Sequence, residues 1–168
     1  MKSFLSNKIV NFIFNVLLII LICLDLSLVG PRLAGYKVFS VLSGSMEPTY
    51  RTGSIIYVKE SDYKNLKEGD VITFTIGDDM VATHRIVGIV QDENNPSIIR
   101  YRTKGDANDT EDGLLVDCIN VVGKPVFTIP YLGYVAVYMK TSIGSFLMIG
   151  VIVILLISMF LHSVLQKE

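Results

Sequence analysis

The sequence predicts a mostly β protein: a small β-domain held between two transmembrane helices. Three observations predict it. Apolar residues make up 51% of the 168-residue chain, and they crowd at its two ends. The middle is a series of short runs rich in β-formers, each closed by Gly, Asp, Asn or Pro. Between the apolar ends there is no helix-period segment of convincing length. The expected division is a short tail with an N-terminal transmembrane anchor over 1–30, a β-rich domain over 31–140, a C-terminal transmembrane helix over 141–163, and a short tail over 164–168.

The first span runs from Ile9 to Val29, with an unbroken apolar core from Val16 to Leu24. About twenty residues cross a bilayer core. Asn11, Asn15 and Asp25 interrupt it near its ends, and Asp25 is the costly one. A removable signal peptide is the rival reading, with Lys2 and Lys8 as its charged start. It needs small residues at −1 and −3 of a cleavage site. Cleavage after Ala34 puts Arg32 at −3, and cleavage after Gly30 puts Leu28 there. A retained anchor is therefore expected. The second span, Ile143 to Leu161, holds no charged residue. Its rival is a buried core helix, which a domain this small could hardly surround.

Two spans put both termini on one side. Lys2, Lys8 and Lys167 lie outside the spans towards the termini, and Arg32, Lys37 and Lys140 lie between them, so charge leaves the orientation open. The net charge of −1 gives no basic surplus that would call for nucleic acid. Cys23 lies in the apolar stretch and Cys118 in the middle domain, so no disulfide is expected.

The strand candidates follow in order. They are Lys37 to Leu42, Ser54 to Lys59, and Asp70 to Ile76 with a turn at Gly77-Asp78-Asp79. Met80 to Asp92 ends at Asn94-Asn95-Pro96, Ile98 to Thr103 is its hairpin partner, and Val121 to Ile129 is last. Pro125 argues for an edge or a bulge in that last strand. Pro130 to Thr141 is apolar, and Tyr131, Tyr134 and Tyr138 suit a membrane interface.

The chemistry centres on Ser43-Gly44-Ser45-Met46-Glu47-Pro48, about a dozen residues beyond the first span. Ser45 is a plausible exposed nucleophile, and a serine needs a base to act at neutral pH. The chain has two histidines. His162 ends the second span, on the far side of the membrane from Ser45, and suits an interfacial anchor. His84 lies in the long strand, on the alternating face of Met80, Ala82, Ile86 and Val90, with Thr83, Arg85 and Gln91 opposite. An inward histidine is either a satisfied core residue or a site residue.

These segments resemble the boxes of type I signal peptidases, the membrane enzymes that cut signal peptides from exported proteins. Their usual bacterial form pairs the serine with a lysine, after a Gly-Asp-apolar segment and before Arg, two apolar residues and Gly. Here Gly69-Asp70-Val71-Ile72 is followed by His84-Arg85-Ile86-Val87-Gly88, with His84 in the lysine position. That resembles the endoplasmic-reticulum and archaeal branch, with its SipW-like bacterial members. Ser45-Met46-Glu47-Pro48, Lys104-Gly105-Asp106 and the lack of a long second β-domain insertion agree, over residues 36 to 135.

The resemblance implies a serine endopeptidase with Ser45 as nucleophile, His84 as base and an orienting acid in the loop Asp106 to Gly113. Asp112 is the first choice for the acid and Asp106 the second. Ser43, by its side chain, and Ser45, by its backbone N–H, are the expected oxyanion donors. Asp109 and Glu111 read as surface charge. The resemblance also implies termini inside and a multi-pass cell-membrane protein with its catalytic domain on the extracytoplasmic side. The implied partners are preprotein signal peptides, the lipid bilayer and the secretion translocon. No cofactor and no metal are expected. The same loop also spaces Asp106, Asn108, Thr110, Asp112 and Asp117 as a calcium loop would, but Glu111 stands where an EF-hand needs glycine. Two other classes remain. One is a self-cleaving repressor-type protease, which is soluble and uses lysine. The other is a non-enzymatic membrane-anchored β-domain acting in assembly or as a scaffold.

Overall fold

The computed structural model describes residues 2–77, 80–91 and 98–165. The expected turn residues Asp78-Asp79 and Asn94-Asn95-Pro96, the tail residue Lys167 and the side chain of His162 lie outside the described residues. The chain forms two compact units, one of Met1–Gly30 with Ala136–Glu168 and the other of Pro31–Val135.

In the first unit, α1 (Lys2–Leu33) extends past the expected span at both ends, its last turn entering the second unit. Pro31 falls inside it. Its stretch Asn15–Leu33 has 19 residues, none buried. At 1.5 Å per residue that is about 28 Å, close to the thickness of a bilayer core. Among the described residues it alone is a single helix long and apolar enough to cross a membrane. At the other end, α2 (Leu132–Met139) and α3 (Ser142–Leu165) follow one another. Leu132–Met139 and Ser142–Ile154 meet the same criterion only together, as a broken pair. Thr141 starts α3, its Oγ1 accepting from the Gly144 N–H at 3.0 Å.

The second unit is an antiparallel sheet of seven strands. These are β1 (Tyr36–Ser40), β2 (Ile55–Lys59), β3 (Val71–Ile76), β4 (Met80–Gln91), β5 (Ile99–Lys104), β6 (Val116–Asp117) and β7 (Val121–Ile129). Their spatial order is β1-β2-β7-β3-β4-β5-β6. The expected strands all form, with ends shifted by a residue or two. Among the described residues, β6 and α2 were not expected, nor were the single-turn 3-10 helices Tyr63–Asn65 and Cys118–Asn120. The two-residue β6 is too short to carry a pattern. The helix α2 lies in the Tyr-rich segment read only as a membrane interface, and its all-apolar run LGYVAVYM has no polar face to reveal a helical period.

Pro125 sits in the interior β7, at a bulge, where Tyr57 faces Phe127 and Val58 faces Pro125. A residue without an N–H fits where the ladder is already interrupted. A second bulge corrects the expected alternation of β4. Ile86 faces Thr103 but Gly88 faces Arg102, so Val87 is the extra residue. Beyond it Val90 faces Arg100, and so leaves the face that His84 and Ile86 share.

Leu66, Ile72, Phe74, Ile86, Tyr101 and Val116 form the core beside the site. Tyr101 is fully buried and donates to the Tyr63 carbonyl at 2.8 Å. Burial pushes its phenol up to about 12. Met46 in the loop between β1 and β2, and Ile55, Ile56, Tyr57 and Val58 of β2, are also buried. Cys23 and Cys118 are both free thiols.

Candidate active site

Ser45 stands in the loop joining β1 to β2. The neck of that loop continues the strand pairing, with Val41 N–H donating to Ser54 at 2.9 Å and Gly53 N–H to Val41 at 2.8 Å. Next to Ser45, Met46 is buried. Tight turns finish it: Glu47 N–H donates to Gly44, and Tyr50 N–H to Met46. Glu47 Oε1 accepts from both the N–H and the Oγ1 of Thr52 at 3.2 Å. A short apolar anchor and local hydrogen bonds thus hold a serine outward.

His84 projects from β4, opposite Ile72 of β3. Its ring meets Phe74 edge-on at 6.2 Å. Its Nε2 lies 3.1 Å from Ser45 Oγ and its Nδ1 lies 2.6 Å from Asp112 Oδ2. An ionised carboxylate only accepts, so Nδ1 carries the hydrogen and Nε2 is left to accept from the serine hydroxyl. The side chains of His84 and Asp112 are 14% and 24% exposed, so the row is sheltered yet open at its serine end. In this geometry a serine can lose its proton to an imidazole as its oxygen attacks a carbonyl.

Asp112 is held by Thr103 of β5. Thr103 Oγ1 donates to Asp112 Oδ2 at 2.6 Å, and Asp112 N–H donates to the Thr103 carbonyl at 2.8 Å. Sequence reasoning missed Thr103. The available signal was its place in the alternation of β5, on the same side as the buried Tyr101.

Asp106, the second candidate acid, has different partners. Arg85 Nε and Nη2 donate to its two oxygens at 2.8 and 2.7 Å, and Thr49 Oγ1 donates to Oδ2. The Arg85 hydrogen bonds hold its carboxyl below the usual carboxylate range, against the opposing effect of burial. Arg85 also reaches the Gly69 carbonyl at 2.7 Å. Asp106 therefore joins the serine loop to the β3–β4 region, and the described bonds to His84 come from Asp112 and Ser45. The turn that carries Asp106 touches Ser45 directly, as Ala107 N–H donates to the Ser45 carbonyl at 2.8 Å. Gly105 makes this approach possible: a Cβ there would stand 2.6 Å from the Ser45 oxygen.

Ser43 Oγ lies 3.3 Å from Ser45 Oγ. Among the acids read as surface charge, Glu111 is 3.7 Å from Arg102, both half exposed, and the Asp109 carbonyl accepts from Lys104. The carboxylates of the alternative calcium loop do not converge. Asp106 is bound by Arg85, Asp112 by His84 and Thr103, and Asp117 by Arg100 at 2.8 Å. Among the described residues no group of three or more His, Cys, Asp or Glu is placed to hold a metal ion.

Comparison with known proteins agrees with the motifs. The family described as signal peptidase, peptidase S26, matches residues 9–95, more than half of the chain. Signal peptidase I W of Bacillus subtilis (strain 168) is 47% identical over 92 residues, covering 54% of this chain and 47% of that protein. The signal peptidase complex catalytic subunit SEC11C of Homo sapiens is 32% identical over 108 residues, covering 60% of this chain and 55% of its own. SEC11 of Leptosphaeria maculans is 32% identical over 111 residues, covering 61% and 62%. The chain thus spans about half the length of the curated relatives it matches. Relatives of both the SipW and the SEC11 kind match a chain whose boxes carry histidine in place of lysine. By this match and these boxes, the chain belongs to the signal peptidase family, peptidase S26.

Proposed function

We infer that this chain is a membrane-anchored serine endopeptidase that removes N-terminal signal peptides from exported preproteins. The observation that carries this reading is the unbroken row Asp112–His84–Ser45, with contacts of 2.6 and 3.1 Å. A non-enzymatic scaffold would have no use for a carboxylate aligned through an imidazole onto a serine.

Ser45 Oγ attacks the scissile carbonyl carbon as His84 Nε2 takes its proton. The Ser45 N–H and the Ser43 hydroxyl stabilise the oxyanion. The tetrahedral intermediate collapses, His84 protonates the departing amine, and the mature protein leaves with a new N-terminus. Water, deprotonated by His84, then releases the signal peptide from the Ser45 ester. Asp112 keeps the Nδ1 tautomer and stabilises the imidazolium. Asp106 holds the serine loop through Thr49 and Arg85 and takes no proton.

Both apolar ends cross the membrane in this reading, α1 as the first span and α3 as the second. The termini are cytosolic and the β-domain faces outward. The site then meets a signal peptide emerging through the bilayer beside the secretion translocon, and binds it as an extended strand. The exposed Tyr131, Tyr134 and Tyr138 suit the bilayer interface.

The test is cleavage of a preprotein by the purified full chain in detergent, compared with Ser45→Ala. The variant should insert and express normally and lose activity by several powers of ten. Turnover within about tenfold of the unmodified chain would overturn the assignment.

A further inference from the structure

The loop that carries Ser45 is fastened at its neck by the first turn of α2. Gly53 closes the loop. Its N–H donates to Val41 and its carbonyl accepts from Gly133 N–H at 2.9 Å. An N–H in the first turn of a helix has no partner within the helix, and here Gly53 satisfies it. The contact is close from both sides. Gly53 has φ 80, and a Cβ on it would fall inside the Tyr134 ring. A Cβ on the buried Gly133 would stand 2.5 Å from the Ser54 carbonyl and 2.7 Å from that of Gly53. The corner that delivers α2 to this position is strained, since Tyr131 sits at φ 63, a region that bulky residues rarely occupy. All of these residues belong to the Pro31–Val135 unit.

We propose that Gly133 and Tyr134 are positioning residues for the nucleophile, acting through Gly53 to fix the loop that presents Ser43 and Ser45. The far side of that loop is fixed by the Ala107 N–H on the Ser45 carbonyl and by Asp106 on Thr49. The neck is the other fixed point, and the first turn of α2 forms its outer wall. The segment that follows the sheet is therefore a working part of the site. This rests on the proteolytic reading above for its catalytic consequence, but the loop support itself can be measured without it.

The experiment uses the full chain in detergent and compares Gly133→Ala, Tyr134→Ala, Tyr134→Phe and Ser45→Ala. Two quantities are read: amide hydrogen exchange by peptide, and kcat against KM for one preprotein. In Gly133→Ala, exchange across residues 42–53 should rise about tenfold while β3, β4 and β5 keep their protection, and kcat should fall about tenfold with KM within about twofold. Tyr134→Ala should move both readouts in the same direction by less, and Tyr134→Phe, which keeps the ring over Gly53, should match the unmodified chain. Unchanged loop exchange and kcat in Gly133→Ala would overturn the proposal. So would an equal loss of protection in the loop and in β3–β5 for both Gly133→Ala and Tyr134→Ala, since that is a general loss of stability. If Ser45→Ala still cuts, the protease reading fails and the exchange pattern alone decides on the loop.

Discussion

Thr103 and Asp112 are joined twice. The threonine hydroxyl donates to the carboxylate at 2.6 Å, and the aspartate N–H returns a bond to the threonine carbonyl at 2.8 Å. Thr103 has no exposed surface. This reciprocal pair fixes both the backbone and the side chain of the acid that faces His84, and hangs them on β5. Thr103→Val keeps the shape and removes the hydroxyl. Turnover should fall about tenfold, with about 1 kcal/mol lost from stability. Preprotein cleavage and a thermal melt of the same sample check both figures.

Asp112→Asn and Asp106→Asn should fail in different ways. An amide at Asp112 holds the wrong tautomer of His84, so turnover should drop about a thousandfold or more with the fold intact. An amide at Asp106 breaks the paired bonds from Arg85 and leaves that guanidinium without its carboxylate. Its main defect should be a lowered melting temperature, and Asp109→Asn should be nearly silent in both assays. Full activity in Asp112→Asn with loss in Asp106→Asn would exchange the two roles.

His84→Lys should be inactive or nearly so. A lysine acts as a base only when its surroundings keep it neutral. Here the replaced ring nitrogen lies 2.6 Å from a carboxylate, which would keep an ammonium charged. Substantial cleavage by this variant would show that Asp112 is not coupled to the base, and the site would then be a serine–base pair.

Acid should weaken the fold through Asp106. Its folded value lies below the ordinary 3.8, so its contribution is complete above that pH and is lost as pH falls through the lower, folded value. Asp70 adds to the same slope. Burial pushes its carboxyl up, but the bonds from Lys124 and the Lys67 N–H prevail and hold it down. Melting temperature followed from about pH 5 downward should drop below about pH 4, and the drop should be shallower in Asp106→Asn. An identical profile in the variant would mean that the Arg85 pair adds nothing to the folded state.

The readable parts of this chain are those that repeat or carry special chemistry. Val71–Ile76 and Ile99–Lys104 announce themselves by β-branched alternation between turn residues. Ser45, His84, Asp106 and Asp112 stand out because their residue types recur in ordered boxes. The bulge at Val87 leaves no mark on composition, so alternation carried past it puts Val90 on the wrong face. The short β6 and α2 are set by what they pack against. Two supports of the site escape a residue-by-residue reading for another reason. The Ala107 N–H on the Ser45 carbonyl belongs to the backbone, which every residue but proline shares. The Thr103 hydroxyl lies in a strand where threonine is ordinary.

The row of Ser45, His84 and Asp112 joins positions 39 and 28 residues apart, and Thr49 meets Asp106 across 57. No fragment of the chain short of residue 112 contains the whole row. A ribosome that has delivered the serine and the histidine has still not delivered the third member of the row. Until the acid has followed and the sheet has closed, the newborn chain holds a serine and a histidine with nothing to align them.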